Sequence, residues 1–289
     1  MARVRNNKCL FALLLVSMLL ITGCSSSSSS TGGINEPYEK QDISGVWLGY
    51  LGNTFIVGIF TTKDNDHFSG RLIGQDQYNQ YKQFISPDGS FLTQTPASAI
   101  FTGYLEDCSW NTTGLDYSTV PIQSLYISGP AATKKVFGGP PFGAYSYGTK
   151  PETGIFVVYY NTTYDVPPNV NNMKGQWEIQ DSFKQENTVK LTITPYPADT
   201  KGAVISGLDD RGNTFKGTIE IYYSPLDNKP HNVYDVNLSL NDTINLTGLA
   251  AYVLESNSLG IDIKKKTLAI GATNEDRSYS FIGLAGFKK

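Results

Sequence analysis

Residues 189–194 read Val-Lys-Leu-Thr-Ile-Thr, an alternation of apolar and polar side chains with a period of two. Successive side chains of a β-strand point to opposite faces, so Val189, Leu191 and Ile193 share one face and Lys190, Thr192 and Thr194 share the other. One buried face and one wet face is the pattern of antiparallel sheet. Residues 218–222, Thr-Ile-Glu-Ile-Tyr, repeat it. Turn-forming groups separate such runs at short intervals: Asp64-Asn65-Asp66, Pro87-Asp88-Gly89 and Asp210-Arg211-Gly212-Asn213. Few stretches carry helical periodicity. The expected class is all-β and antiparallel.

Two segments look alike. Ile43-Ser44-Gly45-Val46-Trp47 precedes an apolar run at 55–60, and Met173-Lys174-Gly175-Gln176-Trp177 precedes the run at 189–193. Each Gly-x-Trp opens a stretch of β-patterned sequence long enough for about eight strands, which reads as a tandem duplication. The expected domains are a first barrel over 42–160 and a second over 173–289. Residues 161–172 contain Pro167-Pro168 and several asparagines, so they read as the linker. Within the first half, 138–148 is rich in Gly and Pro and reads as a long loop carrying Phe142, Tyr145 and Tyr147, a candidate surface for a partner or ligand.

The N-terminus has a different logic. Arg3, Arg5 and Lys8 precede a nearly unbroken apolar run, Leu10 to Ile21, which ends at Thr22-Gly23-Cys24 and a serine tract. That is a signal-peptide layout, and a run of about 12 residues is too short to span a bilayer as a helix. Leu20-Ile21-Thr22-Gly23-Cys24 resembles the lipobox of bacterial lipoproteins. The resemblance implies cleavage of residues 1–23 and acylation of Cys24, with fatty chains such as palmitate holding the protein to a membrane. Ser25 in place of an aspartate points, by the same resemblance, to the outer membrane, with the body in the periplasm or facing the surface. Residues 24–41 would then be the acylated cysteine and a flexible Ser-rich tether.

Three of the 23 basic residues and none of the 26 acids fall in the first 23 positions, so the remainder is acidic by about six charges. That balance argues against nucleic acid as a partner. Of the three cysteines only Cys108 stays a free thiol once Cys9 is removed and Cys24 acylated, so no internal disulfide forms. His67 and His231 stand in different halves, no Cys-x-x-Cys occurs, and no metal or cofactor is expected. No nucleophile elbow, phosphate loop or dinucleotide fingerprint occurs either, so catalysis is not expected. Asp209 and Asp210, adjacent on a strand, would face opposite ways and read as turn formers rather than a catalytic pair.

Residues 45–57, GVWLGYLGNTFIV, resemble the first hairpin of the lipocalin and avidin-like barrels, especially the bacterial avidins. The resemblance implies an up-and-down barrel with Trp47, and through the repeat Trp177, closing one end. Gly49 and Asn53 stand where those avidins place biotin ligands, so the ligand is not carried over. The expected function is a non-catalytic interaction or structural module of the cell envelope; the alternative is a binder of a small apolar ligand in a barrel lumen. The runs 54–60 and 155–160 are apolar on both faces and demand a cover, which the other barrel or an envelope protein partner could provide.

Overall fold

The period-two pattern does become strands. A computed structural model of the chain describes residues 44–52, 54–62, 67–75, 81–91, 98–106, 123–132, 136–138, 144–147, 156–181, 187–197, 201–225, 228–254, 256–258, 261–263 and 266–288. The first half contributes β1 (Gly45–Leu51), β2 (Thr54–Thr62), β3 (His67–Gln75), β4 (Tyr81–Phe91), β5 (Ser98–Glu106), β6 (Gln123–Ala132), β7 (Val136–Gly138), β8 (Ala144–Tyr147) and β9 (Phe156–Asn161). The second contributes β10 (Gly175–Asp181), β11 (Asn187–Pro195), β12 (Gly202–Asp209), β13 (Thr214–Tyr223), β14 (Pro230–Leu240) and β15 (Ile244–Val253). It continues with β16 (Ser256–Ser258), β17 (Ile261–Ile263), β18 (Thr267–Thr273) and β19 (Ser280–Lys288). All of these belong to one compact unit, Glu39–Lys289.

The second half closes on itself as an eight-stranded antiparallel barrel in the order β10-β11-β12-β13-β14-β15-β18-β19, and β16 pairs with β17 outside it. Register fixes which side chains face in. Trp177 stands opposite Leu191, Leu191 opposite Gly207, Gly207 opposite Phe215 and Phe215 opposite Leu240. Neighbouring layers bring in Ile205, Ile219, Val236, Ala250 and Ile270, all buried. Eight strands enclose a space that side chains can just fill. They fill it here: a Cβ added at Gly207 would meet Leu191 at 2.6 Å, and the Phe215 and Phe281 rings lie 4.8 Å apart.

The first half is an antiparallel sheet in the order β5-β4-β3-β2-β1-β9-β7-β6-β8, with β5 also paired to β6. The fold class expected from sequence is met in its coarse form, an all-β chain with one closed barrel and a second antiparallel sheet. Trp47, Ile56, Phe60, Leu72, Val158 and Tyr160 share one face of this sheet; Val46, Leu48, Val57, Ile59, Ile73 and Ile85 share the other. Both sets are buried. The cover for the second set is the closed barrel, whose β15 touches β2 and whose β18 and β19 touch β3. There the barrel wall turns apolar, and its outward residues Val233, Ala251, Val253, Ala269 and Ile282 are buried as well.

Asp210–Asn213 is the β12–β13 turn, as its composition predicts. Pro87-Asp88-Gly89 is not a turn between strands: it lies inside β4, where the ladder to β3 shifts register and where Pro87 and Asp88 have no partner residue. A proline without a donor is tolerated at such a break. The stretch 138–148 is not loop throughout, because Ala144–Tyr147 pairs with residues 125–128 of β6. Tyrosines at alternate positions suit a pleated strand. Asp64-Asn65-Asp66 lies outside the described residues.

Candidate functional site

Both Gly-x-Trp tryptophans are fully buried at the start of a strand. Trp47 meets Tyr160 edge-on at 5.5 Å between ring centroids, and Trp177 meets Tyr252 edge-on at 6.1 Å. The Trp177 indole Nε1 donates to the Met173 carbonyl oxygen at 2.7 Å. The glycines two residues ahead adopt positive φ, +156° at Gly45 and +127° at Gly175, a region side chains disfavour. Cys24 and Phe142 lie outside the described residues, and Tyr145 and Tyr147 sit on β8.

Residues 161–172 do more than span the halves. Together with Met173 they form two short 3₁₀ turns, Thr162–Asp165 and Val170–Met173, that bury Thr163, Tyr164, Val170 and Met173. Asn232 on β14 donates its amide to the carbonyl oxygens of Thr163 at 3.0 Å and Tyr252 at 3.1 Å, while accepting the Tyr234 hydroxyl proton at 2.7 Å. Burial raises the Tyr234 hydroxyl far above the usual phenol value. His231 lies flat on Tyr164, centroids 4.4 Å apart and planes within 2°. The lone histidine of this half is thus a stacking partner, and the adjacent carboxylates divide as expected. Asp209 turns inward to accept from the backbone N–H groups of Arg211 and Asn213, whereas Asp210 stays outside, 3.8 Å from Lys190.

A cleft of about 500 Å³ with a mixed polar and apolar lining opens at the margin of the seam between sheet and barrel. One wall is the outward face of the first sheet, with Thr61, Ser69, Arg71 and Ile85; the other is the barrel exterior, with Tyr222, Asp235, Thr247, Leu249 and Thr273. The β18–β19 turn supplies Asn274, Glu275 and Arg277 at the rim. Cross-strand pairing explains the grouping, since Thr61 stands opposite Ser69 and Arg71 opposite Ile85. The two walls are tied together. Arg71 Nη2 donates to the Thr247 carbonyl oxygen at 3.3 Å and Tyr222 hydrogen-bonds Thr61, while within the sheet wall the Thr61 and Ser69 hydroxyls are 2.7 Å apart.

Electrostatics single out the barrel side of the cleft. Asp235 and Glu220 are direct cross-strand neighbours. Desolvation first, and the Glu220 charge second, raise the Asp235 carboxyl above its ordinary value. Burial also raises Tyr222, with Asp235 adding to the shift and the Thr61 hydrogen bond opposing it. None of the cleft residues was singled out by sequence. Alternation marks them as outward-facing, but which outward faces meet is decided by contacts as distant as the 176 positions between Arg71 and Thr247.

Among the described residues no cluster of three or more His, Cys, Asp or Glu is arranged to hold a metal ion. No protein-family model matches the chain, and no curated protein and no solved structure matches it either.

Proposed function

We propose that this protein is an outer-membrane lipoprotein, held by acyl chains on Cys24, whose body is a fused pair of β-barrels serving as a non-catalytic interaction or structural module of the envelope. The observation that carries the reading of the body is the filled interior of the closed barrel. Its inward residues, from Trp177 through Phe215 and Tyr234 to Phe281, are buried against one another. An apolar ligand, the alternative, would need room those side chains occupy.

The tandem origin is supported by the shared Gly-x-Trp geometry of the two halves and by the β5–β6 pairing, which joins distant strands of the first sheet. On this reading the first sheet is a second barrel that leans its outer wall on its twin.

Two measurements test the proposal. Labelled palmitate is expected to enter the wild-type protein and not Cys24→Ser, and the variant is expected to leave the membrane fraction. A variant that stays tightly bound overturns the anchor. Native mass spectrometry of the full chain released from detergent is expected to show the acylated mass alone; a co-purifying lipid-like mass would favour the ligand reading.

A further inference from the structure

We infer that the cleft at the seam binds a neutral, hydroxyl-rich ligand of the saccharide class. This goes beyond the envelope module and does not depend on the lipid anchor. The volume, about 500 Å³, lies within the roughly 300–1,000 Å³ of small-molecule sites. Its chemistry is mixed in a specific way. Two guanidinium groups, Arg71 and Arg277, are matched by two carboxylates, Asp235 and Glu275, so the lining carries no net charge. A phosphate or a polyamine would gain from one pair and lose to the other. A sugar hydroxyl both donates and accepts, and so meets guanidinium, carboxylate and the hydroxyls of Thr61 and Ser69 alike. The C–H faces of the same sugar need apolar contact, and Tyr222, Ile85 and Leu249 among the lining residues can give it.

The rest of the seam shows what a purely structural contact looks like in this protein. There Val46, Ile59 and Ile73 on one side and Val233, Ala251 and Ile282 on the other are buried and apolar. At the cleft the same two walls switch to polar residues and part. Asp235 stands directly across from Glu220 at this margin, and desolvation with the Glu220 charge raises its carboxyl above the ordinary value, so the ionised group is held there at a cost that a merely structural margin would avoid.

Full chain in detergent micelles is titrated with chitotriose and with maltotriose, followed by saturation-transfer NMR, and is co-sedimented with insoluble cell-wall glycan. Binding of a trisaccharide at millimolar concentration or below is expected. Sedimentation with the polymer identifies a wall glycan as the source, and trisaccharide binding without sedimentation a free oligosaccharide. Tyr222→Ala and Glu275→Ala should each weaken binding by tenfold or more, and Lys190→Ala, on strand β11, should not. Glu275 is exposed in a turn, so its variant keeps the test decisive even where Tyr222→Ala fails to fold. Absence of binding to all three glycans overturns the inference. So does binding that neither cleft variant weakens, or tighter binding of inorganic phosphate or spermidine in competition.

Discussion

A tryptophan that begins a barrel strand has two tasks, to fill volume and to place its one donor. Trp177 does both, fully buried in the lumen and donating to the Met173 carbonyl oxygen of the preceding 3₁₀ turn. Truncation to alanine leaves a cavity in an interior that neighbouring strands cannot collapse, so Trp177→Ala should cost about 3–5 kcal/mol in denaturant unfolding. Trp177→Phe keeps much of the packing but strands the carbonyl, and should cost about 1–3 kcal/mol. A loss from the alanine variant no larger than an exposed substitution gives would show that the lumen is not packed around this ring. Gly175 belongs to the same device, because its φ of +127° lets the chain enter the strand with the indole turned inward.

At the scale of elements, the segment 161–173 shows how connections can be structural. Asn161 and Asn169 each cap a 3₁₀ turn through a side-chain oxygen, accepting from Thr163 N at 2.8 Å and Asn171 N at 2.9 Å. Their surroundings differ, since Asn161 is buried and Asn169 exposed. Asn161→Ala should therefore cost about 1–2 kcal/mol in unfolding free energy, and Asn169→Ala less, because water replaces its bond. Equal losses would contradict the role of burial. Elements of this kind were only partly legible in the sequence. The strands at 189–194 and 218–222 follow from alternation because one face of each is wet. Composition does not separate the break at Pro87 from a turn, because Pro, Asp and Gly serve a turn and a bulge equally and only the partner strand distinguishes them. The cover over Thr54–Phe60 was foreseen as a need. Its identity, and with it the cleft, was not, since alternation assigns a residue to a face and never says what that face meets.

For the whole molecule, the consequential feature is that two β-bodies share one apolar seam with a polar margin. Asp235 sits at that margin, across from Glu220, near Tyr222 and in the cleft that Arg71, Glu275 and Arg277 also line. Desolvation and the Glu220 charge raise its folded-state proton affinity above that of the unfolded chain, whose ordinary value is 3.8. The contribution of the protonated group to stability is therefore full below that ordinary value and is lost as pH rises through the raised folded value. At neutral pH the ionised carboxylate opposes folding. Asp235→Asn removes the like-charge cross-strand pair and should stabilise the protein at neutral pH by roughly 0.5 kcal/mol, a figure kept small by solvent screening at this exposed position. The gain should shrink toward zero in acid, where the wild-type group is already neutral. Denaturant unfolding of both proteins at the two pH values measures it. A stabilisation of equal size at both would place its cause in the amide's own hydrogen bonds rather than in charge at the seam.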